Sequence, residues 1–157
     1  ITGCDVFGGD GQKKTIFDVG DTMHIRLAYE VRKALAHPNF MVSIVRSDGV
    51  TVCTYSTEAD GIDLGAIADD GVLQLDLPPL RLVAEMYAIK ITVREKGFGP
   101  ILCEQIGTTF HVRDALLDIN FGVFHEPGEW RVGSGVSSAR RLPGAAEKAA
   151  TLTSTGT

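Results

Sequence analysis

No stretch of this chain approaches the roughly 20 consecutive apolar residues of a membrane-spanning helix, so no transmembrane segment is expected. No charged-then-apolar leader stands ahead of the first strand-like run, and residue 1 is Ile rather than Met. The expectation is an excised piece or a processed form. Cysteine is scarce. Cys4, Cys53 and Cys103 are odd in number, far apart and without a CxxC pair, which argues against a disulfide framework and a zinc site. That usage reads as a reducing compartment, with Cys53 a small half-buried hydrophobe. Basic charge is also short: 15 Lys and Arg against 20 Asp and Glu leave a net charge of −5, the wrong sign for a general nucleic-acid footprint.

Catalytic signatures are missing as well. There is no GxSxG and no HExxH. His24, His37, His111 and His125 are candidate bases, but no context marks a nucleophile beside them. Nominating a carboxylate pair for glycoside hydrolysis from 20 acidic residues means little. Gly8 to Thr15 superficially resembles a phosphate-binding loop, but Lys13 stands where glycine must precede the Lys-Ser/Thr pair, and a strand pattern follows. The acidic loop with Glu58, Asp60, Asp63, Asp69 and Asp70 fits no twelve-residue calcium spacing. Neither a cofactor nor a metal is expected.

What the chain does have is alternation. From Asp21 to Val31, Met23, Ile25, Leu27, Tyr29 and Val31 fall on one face, and His24, Arg26, Ala28 and Glu30 on the other. Successive strand residues point to opposite faces, so this predicts a sheet with a dry side and a polar side. Leu27, Val31 and Leu35 also recur every four residues, and Ala34 to Ala36 favours helix. The β-branched and aromatic residues at the apolar positions favour the strand.

The same pattern repeats along the 157 residues, a length that fits one domain with its own core. Strand-like runs are Cys4 to Phe7, Thr15 to Phe17, Phe40 to Val45, Val50 to Tyr55 and Val72 to Leu77, followed by Tyr87 to Arg94, Ile101 to Ile106 and Thr108 to Val112. Asp48-Gly49 predicts a hairpin turn and Pro78-Pro79 a strand end. Thr57 to Gly71 reads as a loop, and Phe121 to Trp130 as a final aromatic segment. Many short strands without a long helical period predict an all-β, antiparallel two-sheet sandwich, Ig-like or jelly-roll-like, over residues 1–132. Residues 133–157 turn to Gly, Ser, Ala and Thr and read as a low-complexity flexible tail.

Parity places Lys90, Thr92 and Arg94 opposite the stripe Tyr87, Ile89, Ile91 and Val93, and His111 and Arg113 opposite Phe110 and Val112. The candidate binding residues are therefore His24, Arg26, Glu30, Lys90, Thr92, Arg94 and His111. Their basic bias suits an acidic sugar or phosphate group, through charge-assisted hydrogen bonds. Tyr55 and Trp130 are candidate aromatic platforms. Lys and Arg also simply solvate exposed sheet faces, so this surface reading stays open beside the binding one.

An ordered set of residues then resembles a known family. Phe17 and Gly20-Asp21 precede the alternating strand, which holds Tyr29; Pro38 and Phe40 open the next. Asp48-Gly49, Thr57, Leu80 and Leu82 ahead of Tyr87, Phe110 with Val112, Gly122 and Trp130 follow. In this order they resemble the C-terminal domain of the Wzt-type ATP-binding subunit of ABC transporters that export O-antigen polysaccharide. Ala84, Glu85 and Met86 depart from the Gly or Pro-Gly that the family often places before the tyrosine. The resemblance implies a non-catalytic, cytoplasmic β-sandwich that recognises the modified non-reducing end of a lipid-linked O-antigen polysaccharide. It further implies coupling to the ATPase domain and membrane subunit, and a homodimer that exchanges C-terminal strand material such as Phe121 to Trp130. A structural or adhesive Ig-like module and a carbohydrate-active enzyme remain as alternatives.

Overall fold

Where every second residue is β-branched, aromatic or Leu, the chain forms strand. A computed structural model describes residues 1–131, and the expected tail at 133–157 lies outside them. Ten strands follow in order: β1 Gly3–Gly8, β2 Ile16–Asp18, β3 Met23–Tyr29, β4 Leu35–Ala36 and β5 Asn39–Arg46 form the first half. The second half holds β6 Thr51–Ser56, β7 Ala66–Ile67, β8 Gly71–Asp76, β9 Glu85–Arg94 and β10 Ile101–Arg113. No α-helix occurs among the described residues.

The strands form a three-stranded sheet ordered β1-β3-β8, a five-stranded sheet ordered β2-β10-β9-β5-β6 and a small β4-β7 ribbon. All pairs are antiparallel except β2 with β10, which is parallel. The all-β expectation holds, with this parallel edge and the β4-β7 ribbon added. Ala34 to Ala36, the helical alternative, ends in β4, and the loop expected from Thr57 contains β7. The aromatic segment near the end forms a single 3-10 turn, Ile119–Phe121, and an isolated bridge from Leu82 to Phe124.

Both sheets bury their inner stripes in one core. Met23, Ile25 and Leu27 of β3 meet Val42 and Ile44 of β5, Tyr87, Ile89 and Ile91 of β9, and Phe110 and Val112 of β10. Phe110 packs edge-on against Phe17 at 5.9 Å between centroids and stacks on Tyr87 at 5.5 Å. The Tyr87 hydroxyl donates to the Val83 carbonyl at 2.9 Å, so its burial leaves no polar atom unpaired. Each such side chain contributes roughly 1.5–3 kcal/mol by leaving water. Because the inner faces share one core, the two outer faces point away from each other.

The two edges of the sandwich differ. Where β1 faces β10, Gly107 lets the strands close: a Cβ there would stand 2.8 Å from both the Cβ and the Sγ of Cys4. The Thr108 hydroxyl donates to the Cys4 carbonyl beside it. Where β8 faces β6 the sandwich stays open. The Asp48-Gly49 turn forms as expected, with Gly49 at φ +87° and its N–H on the Arg46 carbonyl at 2.9 Å.

Candidate functional site

The seven candidate residues do not converge on one site. On the outer face of the three-stranded sheet, His24 stands between Phe7 and Asp76, and Arg26 between Asp5 and Gln74. The Arg26 guanidinium lies over the Phe7 ring at 4.9 Å. His24 Nδ1 meets the Asp76 carboxylate at 2.6 Å, and the Gln74 amide donates to the same oxygen at 2.8 Å. Gln74 first and His24 second hold the Asp76 carboxyl below its ordinary range. The result is a shallow surface with an aromatic ring, a guanidinium and an amide–carboxylate–imidazole chain, floored by Gly3 and Ala28. Glu30 lies past the end of β3, exposed and 3.6 Å from Arg32, and takes no part in it.

Lys90, Thr92, Arg94 and His111 belong to the opposite side. Lys90 pairs with Glu104 at 3.1 Å, and the buried Thr92 hydroxyl donates to the same carboxylate at 3.2 Å. Lys90 is the main cause of the lowered Glu104 pKa. Exposed His111 stands in register with Met86 and Ile16, both half out in solvent. Arg94 turns to the loop beyond β9, donating to the Gly99 carbonyl at 3.3 Å. Two of the expected cations are engaged within the chain, Lys90 on a carboxylate and Arg94 on carbonyls, while Arg26 stacks on a ring and keeps its N–H donors outward. The seven residues do not form one continuous basic face, because His24 and Arg26 lie on one sheet and Lys90, Thr92, Arg94 and His111 on the other.

The open edge holds two adjoining hollows. One is an apolar slot of about 170 Å³, whose walls include Leu27, Phe40, Tyr55, Leu73 and Gln74. Tyr55 packs against the core here, and burial pushes its phenol up to about 12. The other is a polar pocket of about 210 Å³ between the segments 37–39 and 58–63 and Lys96. Ile62 borders both. His37 holds a left-handed backbone at φ +49°, a conformation costly for a residue with a side chain. Its Nδ1 lies 2.7 Å from Asp63, and Lys96 reaches the same carboxylate at 3.6 Å. The His37 bond, then the Gly65 N–H and the charge of Lys96, hold Asp63 down to about 2. Both Glu58 oxygens accept the Gly97 N–H at 3.1 Å, tying the two loops together.

Asn39 lines this pocket and is 1% exposed. Its Oδ1 accepts from the Ser56 hydroxyl at 2.8 Å, the Thr57 hydroxyl at 3.2 Å and the Glu58 N–H at 3.3 Å. The Glu58 N–H can only donate, so the amide cannot be flipped. Its Nδ2 is left without a partner, and so is the buried Nε of Arg94. Asn39 and Arg94 are paired directly across β5 and β9. An unmet buried donor costs about 1–3 kcal/mol.

Sequence reading missed Asn39, Asp63 and Lys96 as a group. Pro38 and the acidic loop were visible, but only as the opening of a strand and as a loop without calcium spacing. What joins them is the β4-β7 ribbon and the Glu58–Gly97 tether, neither of which has a local signal. Phe7, Gln74 and Asp76 were equally out of reach, because strand order decides who flanks β3. Among the described residues no three His, Cys, Asp or Glu side chains gather to hold a metal, and no helix is long and apolar enough to cross a membrane.

Residues 1–128 match the Wzt C-terminal domain, and the chain belongs to that family. Membership supports a carbohydrate-binding domain of an ABC-transporter subunit. Among solved structures, the C-terminal domain of Wzt superposes with a TM-score of 0.65 at 11% identity, over 83% of this chain and 81% of that one. At that identity the likeness shows the fold. A beta-glucuronidase of Bacteroides uniformis aligns with a TM-score of 0.46 at 14% identity, over 66% of this chain and 12% of that one. A CARDB domain from Pyrococcus furiosus gives 0.38 at 18% identity, over 70% and 84%. Neither of these two bears on function. No curated protein matches the chain.

Proposed function

We propose that this domain recognises the modified non-reducing end of a lipid-linked O-antigen polysaccharide and hands that chain to an ABC exporter without cutting it. The observation that carries the reading is the family match over residues 1–128. The outer face of the three-stranded sheet supplies the grip. A sugar ring offers C–H faces to Phe7 and hydroxyls to Arg26, His24, Gln74 and Asp76, which between them donate and accept. Of the seven candidate residues, His24 and Arg26 then touch polymer on this face, while Lys90, Thr92 and His111 do not.

The opposite face and the C-terminal segment suit protein contact instead. Ile16, Met86 and Ile106 are exposed together with Phe121, Phe124 and Trp130, the last 93% accessible. Large apolar side chains left this exposed suit a protein contact. A homodimer that exchanges C-terminal strand material would cover them. The ATPase domain and membrane subunit of the exporter would hold the dimer at the cytoplasmic face of the inner membrane.

Calorimetric titration with the capped oligosaccharide tests the choice of face. Arg26→Ala weakens binding about tenfold or more, and Lys90→Ala leaves it within about twofold. Unchanged affinity in Arg26→Ala would remove the three-stranded face from the account.

A further inference from the structure

We propose that the polar pocket at the open edge is a subsite for one neutral pyranose ring, gripped through adjacent hydroxyls. The assignment rests on the carbohydrate-binding reading above and adds a place and a ligand class to it. Asn39, clamped at Oδ1 by three donors, forms part of the pocket wall and carries Nδ2 with nothing to accept from it. Its strand partner Arg94 carries a second unmet donor. Of these two residues only Asn39 forms part of the pocket wall, so its amide marks the place where an acceptor oxygen is wanted.

The rest of the wall says what that oxygen belongs to. Lys96 offers further N–H groups, while Asp63 and Glu58 offer carboxylate lone pairs. A phosphate or sugar acid would meet two carboxylates on entering. A hydroxyl accepts from one neighbour and donates to the next, so a vicinal diol satisfies both kinds of partner at once. Ile62 gives the C–H face of a ring an apolar wall. The volume of about 210 Å³ falls below the roughly 300–1,000 Å³ of drug-sized sites, which fits one ring. Location completes the case. Ile62 opens onto the slot, the slot is walled by Gln74, and Gln74 lies beside Arg26 on the polymer-gripping face. A chain on that face therefore leads toward the pocket.

The test has two arms on the full 157-residue chain. In the first, isotope-labelled protein is titrated with methyl pyranosides of mannose, glucose, galactose and rhamnose, and separately with inorganic phosphate. At least one neutral sugar shifts the side-chain amide signals of Asn39 and the backbone amides of Ile62 and Lys96. Signals that stay still with all four sugars, or move only with phosphate, overturn the proposal. In the second arm, Ile62→Trp, which fills the pocket, and Lys96→Ala are titrated with the purified O polysaccharide. Both lose about fivefold or more in affinity with thermal unfolding unchanged. If the wild type binds and both variants bind equally well, the subsite falls while the carbohydrate reading stands. If the wild type binds no polysaccharide, that reading fails and takes the subsite with it.

Discussion

The two edges of the sandwich were built to different ends. At the closed edge, β1 meets β10 so tightly that only glycine fits at position 107, and the Thr108 hydroxyl caps the Cys4 carbonyl. Every feature there removes volume or pairs a polar group. At the open edge, β6 and β8 stand apart around the apolar slot with the polar pocket adjoining it at Ile62, His37 holds a left-handed backbone, and buried donors of Asn39 and Arg94 go unpaired. Strain and unmet hydrogen bonds are tolerated where a ligand completes the site, and the surrounding core holds them in place. The closed edge supplies stability; the open edge spends it on recognition.

That contrast breaks most clearly at Gly107. Gly107→Val forces side-chain atoms onto Cys4 and Ile91, and chemical unfolding should show a loss of about 3 kcal/mol. Polysaccharide affinity of the folded fraction stays unchanged, because the hollows lie at the other edge. A variant as stable as the wild type would mean that the closed edge is not closed.

The smaller effect is a pH dependence at the open edge. Asp63 titrates near 2 in the folded chain instead of the ordinary 3.8. A carboxylate with a lowered folded pKa stabilises fully above the unfolded value, and that contribution fades as pH falls from 3.8 through 2. The stability gap between wild type and Asp63→Asn is therefore present at about pH 5 and vanishes near pH 2, by thermal unfolding. The pair is exposed, so the gap is small. A gap that persists unchanged into acid would show that the His37–Asp63 pair does not form.

How much of this was legible in the sequence follows from what is local. Period-two alternation fixes which side of a strand is dry, and Met23, Ile25 and Leu27 are buried while Arg26 is exposed, as their parity predicts. Parity says nothing about which strands are neighbours. His24 and Lys90 have the same outward parity, yet they stand on opposite faces because β3 and β9 belong to different sheets. The basic residues are divided between the two faces for the same reason, and Lys90 reaches diagonally to Glu104, which stands opposite Thr92 in the β9–β10 register. Asn39 was invisible as a binding residue, since its meaning comes from the three donors at 56–58 that fix its amide. The ordered residues from Phe17 to Trp130 carried the family resemblance because spaced turn and core positions preserve a fold even at 11% identity.

On the proposed function, the domain binds a finished, modified polysaccharide end and leaves the polymer intact. Titrating the chain with capped and uncapped forms of one O polysaccharide, then measuring the length of the recovered polymer, tests it directly. The expected result is saturable binding of the capped form at least about tenfold tighter than of the uncapped one, with no change in polymer length. Equal affinity for both forms, or shortened polymer, would contradict it.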